Sequence, residues 1–323
     1  MDNSKTLKKS AGGNYLLDFV KKSSCKQQNE KMEIMKNILI TGATGNVGMA
    51  VIKGLSKLTH TFEIYAGVFD LEKDKPKLQD YKLNTMRFDF TDAATYKPAL
   101  AQCDILFLLR PPQLSEVEKY FKPLINLSNS CGVKHIVFLS VQGVEKSTII
   151  PHHKIEKLIV ESDIPYTFLR PAYFMQNFTS TLHNDLVKNK SIFLPSGNAK
   201  FTLVDVTDVG EIAAKILTES KDHLNKSYEL TCNEKLTFAE MAEKLSEALK
   251  VKINYESPNL IKFYLAKRKE KIPAMLILVM IILHYLPRFQ KEPQITNCVK
   301  ELLNKEPNSF EQFIQVNLNK LKE

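Results

Sequence analysis

The run Lys36-Asn-Ile-Leu-Ile-Thr-Gly-Ala-Thr-Gly-Asn-Val-Gly48 constrains the fold of this chain more than any other segment. An apolar stretch enters three glycines at Gly42, Gly45 and Gly48, and a helical pattern follows over residues 47–58. That order predicts a strand, a tight turn and a helix N-terminus, whose free N–H groups and positive dipole end attract phosphate. Gly42 permits the turn, Gly45 lets the backbone approach a ligand, and Gly48 lets helix and strand pack closely. The spacing is G-x-x-G-x-x-G rather than the commoner G-x-G-x-x-G. Gly42, Thr44, Gly45, Asn46 and Val47 are therefore the expected contacts of a dinucleotide pyrophosphate, against the alternative of a ligand-free tight turn.

Beyond the loop, apolar and β-branched runs alternate with helical patterns. Strands are expected at 63–69, 84–89, 104–109, 133–140 and 165–170, with a helix over 115–131 closed by Gly132. Strand and helix in regular succession predict an α/β fold: a Rossmann-type, doubly wound parallel sheet with helices on both faces. The dinucleotide-binding core is expected over 36–171. Past Pro171 the alternation fades, and 172–323 reads mostly as a smaller C-terminal substrate lobe. Within it, 192–204 is expected to be extended and 206–217 helical. A further helix over 237–249 has Thr237 as N-cap and Glu240 as its capping-box partner.

Two segments stand apart. Residues 1–35 carry seven lysines, no arginine and four acidic residues, and read as a flexible basic N-terminal extension without a secretory h-region. Residues 272–286 form an apolar run flanked by Lys267, Arg268, Lys269, Lys271, Arg288 and Lys291. Fifteen residues fall short of the ~20 that span a bilayer. The run reads first as a buried lobe helix or the lid of an apolar pocket, and second as a membrane-surface anchor assisted by its cationic flanks.

The five cysteines are scattered, odd in number and without a C-x-x-C pair. They argue against a disulfide framework and against a zinc site, so no metal is expected, and they fit a reducing cytoplasm. The formal net charge is +9, but the lysines run along the whole chain and no nucleic-acid motif accompanies them, so no nucleic-acid partner is expected.

Several motifs together resemble the NmrA-like branch of the atypical short-chain dehydrogenases. They are Thr41-Gly-Ala-Thr-Gly-Asn-Val-Gly48, Phe88-Asp-Phe-Thr-Asp92, Val137-Phe-Leu-Ser140, His152-His-Lys-Ile-Glu156, Leu169-Arg-Pro-Ala-Tyr-Phe-Met-Gln-Asn-Phe178 and Phe310-Glu-Gln-Phe313. The resemblance runs from about residue 36 to the C-terminus. It implies an NAD(P)H cofactor and either of two functions. One is an oxidoreductase passing hydride to an electron-poor, hydrophobic or aromatic small molecule such as a quinone. The other is a regulator that senses NAD(P) without turnover and signals through a protein partner.

The resemblance also implies residue roles. Pro171 and its neighbours lie beside the nicotinamide in that family. Phe69 stands where many relatives place arginine at the end of the second strand; Asp70 beside it would repel a 2′-phosphate, whereas Lys73 and Lys75 could reach one. Asp89 resembles the residue that meets the adenine, although a turn-capping carboxylate would look the same. Arg110 is expected near the phosphates or the substrate, or else in a surface salt bridge. The usual Tyr-x-x-x-Lys pair is replaced by His152 and Glu156. His152 is then the candidate proton donor, with Glu156 one turn away supporting its charged form, or else it only packs at the helix start. Ser140 is expected to meet the nicotinamide or the substrate, or else to satisfy strand-end backbone. Tyr173 completes the catalytic candidates.

Overall fold

A computed structural model describes residues 37–323; the expectations for residues 1–35 lie outside them. Seven short strands form one sheet: Ile38–Ile40 (β1), Ile64–Val68 (β2), Asn84–Arg87 (β3), Ile105–Leu109 (β4), His135–Leu139 (β5), Tyr166–Pro171 (β6) and Lys226–Leu230, the tenth strand of the chain (β10). Their order is β10-β6-β5-β4-β1-β2-β3, and every pairing is parallel. The doubly wound sheet read from the sequence is present.

Period-two alternation sends neighbouring residues to opposite faces, and both faces are covered. Ile38, Ile40, Ile105, Phe107, Val137 and Leu139 enter one core, whereas Leu39, Leu106, Leu108, Ile136 and Phe138 enter the other. Burial on both faces is why these strands are unbroken apolar runs. Helix α1 (Asn46–Ser56) follows the glycine loop, α2 is Val117–Ser130, α3 is Pro151–Glu161 and α4 is Val206–Thr218. Helices α1 and α4 meet through small residues: a Cβ on Gly210 would lie 2.5 Å from Ala50 carbonyl carbon, and one on Gly54 would lie 2.8 Å from Gly210 O.

The sheet does not end at Pro171. The chain leaves it through β7 (Tyr173–Phe174), β8 (Ser191–Phe193) and β9 (Lys200–Val204), then returns with α4 and β10. β10 registers from Lys226 opposite Thr167 to Leu230 opposite Pro171. Its Lys-Ser-Tyr-Glu-Leu sequence buries only Leu230 fully, as an edge strand allows, so it lacks the apolar signature of the inner strands.

The lobe has its own core around Phe178, Phe238, Phe263, Phe310 and Phe313. β11 (Lys235–Thr237) leads into α5 (Phe238–Leu249), whose capping box pairs Thr237 with Glu240 as expected; β12 (Asn254–Glu256) and α6 (Leu260–Lys269) follow. The apolar run forms α7 (Ala274–Tyr285), buried only along Ile277, Met280 and His284. Its expected burial is thus met on one stripe. Among the described residues no helix is long and apolar enough to cross a membrane.

Candidate functional site

In open α/β sheets ligands bind beyond the carboxyl ends of the strands, where strand order reverses. Here that point lies between β1 and β4. Thr41 fastens the two strand ends: its Oγ1 donates to Phe107 O at 3.1 Å and accepts from Leu109 N at 2.9 Å. Gly42 follows with φ +61°, and a Cβ on Gly48 would lie 2.3 Å from Gly42 O and 2.7 Å from Ala43 Cα. Only glycine fits at Gly48 without moving backbone. Gly45 differs, because its added Cβ would meet nothing nearer than Gly42 O at 3.3 Å, so that side of the loop is open. A cleft of about 410 Å³ beside the loop is lined by Thr44, Gly45, Asn46, Met49, Gln176 and Thr207. These features fit a bound pyrophosphate: a backbone cradle that a side chain would fill, at the N-terminus of an eleven-residue helix.

On the β2–β3 side, Phe69 is 69% exposed. Asp70 caps the next turn, accepting from Glu72 N at 3.1 Å and Lys73 N at 3.2 Å. Lys73 Nζ lies 3.3 Å from its other oxygen, and the Lys73 backbone contact leads the interactions that hold Asp70 below the usual carboxylate range. Asp89 accepts from Thr91 N at 2.8 Å and Thr91 Oγ1 at 2.7 Å, so it performs the turn-capping that the sequence left open.

The β4–β5–β6 side holds four candidates: Arg110 and Ser140 just past the ends of β4 and β5, Pro171 at the end of β6, and His152 in the first turn of α3. Arg110 makes no surface salt bridge among the described residues. Its Nη1 donates to the carbonyls of Pro111, Pro112 and Leu114, and its Nε to His152 Nε2 at 3.4 Å. Burial pushes Arg110 down to about 10, which leaves it cationic at neutral pH. Burial, then the adjacent Arg110 charge, pushes His152 down to about 3, so its ring is neutral and Nε2 accepts. The expected support of His152 by Glu156 is absent. Glu156 instead forms a fork with Arg170, accepting from Nε at 3.0 Å and Nη2 at 2.7 Å. An arginine fork outcompetes a neutral imidazole for a carboxylate. Ser140 is 2% exposed, and its N donates to Leu169 O at 2.7 Å. Its Oγ has no hydrogen-bond partner among the described residues, so the strand-end role considered for the hydroxyl is not the one it plays. Pro171 ends β6 and accepts from Gln142 N at 3.0 Å.

Tyr173 turns into the lobe. Its hydroxyl lies 3.2 Å from His284 Nε2, and its ring packs edge-on against Phe201 and Phe238. Burial pushes the phenol upward, so it remains protonated. Sequence reasoning missed three participants. Gln176 lay inside the Leu-Arg-Pro segment, and it joins that segment to the start of α4 through Asp205 and Val206 N. Arg170 gave no sign of its carboxylate partner. His284, a lone polar residue in an apolar run, was the visible signal for a buried hydrogen bond.

His284 carries a pH prediction. Burial pushes it from 6.5 to about 4, partly offset by its bond to Met280 O. Above pH 6.5 the ring is neutral folded or unfolded and costs nothing. Between 6.5 and about 4 the unfolded chain takes up a proton that the folded chain refuses, so stability falls with falling pH. The expected loss from His284 is on the order of 2 kcal/mol by about pH 5, and His152, pushed down to about 3, adds a loss of the same sign over the same window. Thermal unfolding from neutral to that pH checks it, and His284→Gln should make the slope shallower without abolishing it.

A glycine loop at the reversal of a seven-strand parallel sheet defines a Rossmann-type doubly wound protein. Residues 35–314 match the NmrA-like family, and the chain belongs to it. Prestalk A differentiation protein A of Dictyostelium discoideum is 30% identical over 282 residues, 86% of this chain and 91% of that one. Quinone oxidoreductase 2 of Escherichia coli (strain K12) is 26% identical over 240 residues, 73% and 82% of the two chains. The fold is also that of Citrobacter sp. triphenylmethane reductase, solved in complex with NADP(H). The TM-score is 0.75 at 24% identity, covering 86% of this chain and 99% of that one.

Proposed function

We propose that the chain is an NAD(P)H-dependent oxidoreductase whose acceptor is an electron-poor aromatic small molecule such as a quinone. The observation that carries this reading is the buried Ser140 hydroxyl, without a hydrogen-bond partner among the described residues, just past the carboxyl end of β5 and neighbouring the strand that leads into Arg110, at the same end of the sheet as the glycine loop. Relatives that reduce quinones, and the NADP(H) complex of a structural neighbour, support it.

The loop residues Gly42, Thr44, Gly45, Asn46 and Val47 would hold the pyrophosphate, with Phe69 and Asp89 flanking the adenosine and Pro171 the nicotinamide. When bound, the reduced nicotinamide supplies a hydride. Ser140 donates its hydrogen bond to the nicotinamide amide or to the acceptor oxygen. Arg110 provides positive charge for the oxyanion that hydride addition creates on a quinone. His152, neutral and accepting, fixes Arg110 rather than supplying a proton from Nε2; the proton that completes the hydroquinone comes from water. Tyr173 shapes the lobe wall beside Pro171.

Titration of the purified chain with NADH and NADPH, followed by nicotinamide fluorescence and then by addition of a quinone, tests the reading. Binding with loss of the reduced cofactor is expected. Ser140→Ala should lower kcat/KM about tenfold, the worth of one hydrogen bond in the transition state. Binding without oxidation across quinones and azo dyes would replace this reading with a cofactor sensor.

A further inference from the structure

Helix α7 is apolar all round, yet it is not enclosed. Ile277, Met280 and His284 face the lobe. Met275, Leu276, Leu278, Ile282 and Leu283, all more than a third exposed, lie outside that stripe on the rest of the helix circumference, and Leu286, also more than a third exposed, follows in the next turn. Phe289, 71% exposed, continues the surface beyond the helix. Helix α6 packs against α7 and exposes Ile261 and Leu265. A contiguous apolar face of this kind marks an interaction site.

The charges around it identify the occupant. Arg268, Lys269 and Lys271 precede the helix, and Arg288 and Lys291 follow it. None has a carboxylate partner among the described residues, because the nearby acids are engaged elsewhere: Glu256 with Lys262, Glu270 with Lys267, Glu292 with Lys235. A second copy of this chain docked across a two-fold axis would set cation against cation. An apolar face rimmed by unpaired cations suits a surface with anionic groups outside and hydrocarbon beneath. The twelve-residue helix is about 18 Å long, too short to cross a ~30 Å hydrocarbon core, so it would lie in the surface plane.

We propose that α7 docks the protein on anionic lipid membranes, with its exposed leucines and isoleucines at the acyl boundary and its flanking cations at the lipid phosphates. The proposal stands apart from the redox reading, and its test uses no cofactor. The full chain is sedimented with vesicles of phosphatidylcholine alone and of phosphatidylcholine containing about one third phosphatidylserine. Sedimentation with the anionic vesicles only, weakened by salt, is expected. L278N/L283N should partition about tenfold less, and because both side chains are exposed its thermal unfolding should match the parent. Three results would overturn the proposal. One is no sedimentation with anionic vesicles. Another is equal sedimentation of parent and variant, which would assign binding to other basic segments. The third is a dimer by light scattering that the variant dissolves, which would assign the face to a second copy.

Discussion

Gly48→Ala should lower stability by about 3 kcal/mol and weaken dinucleotide binding at least tenfold. The added methyl lands 2.3 Å from Gly42 O, 2.7 Å from Ala43 Cα and 2.8 Å from Ala43 O, all backbone. No side chain can rotate away, so the turn itself must open, and the phosphate cradle opens with it. Gly45→Ala separates the two effects. Its methyl points to open space apart from Gly42 O at 3.3 Å, so folding should be nearly unchanged while binding still falls. Urea unfolding and cofactor fluorescence, measured on both variants, decide the matter. A Gly48→Ala protein with parental stability and binding would mean that the loop tolerates a Cβ and that the cradle is looser than its geometry.

Lys267→Ala should cost about 3 kcal/mol, through an unrelated mechanism. Lys267 is 2% exposed in the lobe core, with Nζ 2.5 Å from Asp185 Oδ2 and 3.0 Å from Glu270 Oε2. Glu270 is itself 41% exposed and can turn to water. Asp185 is 7% exposed and, among the described residues, is left with only a 3.2 Å side-chain bond from Asn189 Nδ2. The penalty is that of an uncompensated buried carboxylate, not of a lost attraction. Replacing both partners, as in K267M/D185L, should therefore recover most of the loss. A double variant as unstable as the single one would sink this explanation and point to packing around Phe193, whose ring centroid lies 5.9 Å from Lys267 Nζ.

The nucleotide half of the fold was legible because its physics is local. Strands covered on both faces must be apolar at successive positions, and a phosphate cradle must be glycine where backbone meets backbone. The edge strand β10 was not legible, since Lys226-Ser-Tyr-Glu-Leu leaves most of its residues outside the core. The Arg110–His152 contact joins residues 42 positions apart, and the Arg170–Glu156 fork sets an arginine on a strand against a glutamate on a helix. No spacing rule announces either. The apolar run at 272–286 was visible, but composition cannot say which face a neighbour covers. That depends on where the lobe places α7, and the lobe covers one stripe.

The path of the chain after Pro171 has a consequence for dissection of the protein. The polypeptide leaves the sheet after β6, returns with α4 and β10, and leaves again into α5. It touches α4 and β10 once more through the Cys298–Leu303 helix before ending in the lobe. The two halves are laced together rather than joined by a hinge. No single cut releases either of them, and a fragment ending at Pro171 would lack both its outermost strand and the partner against which α1 is pressed.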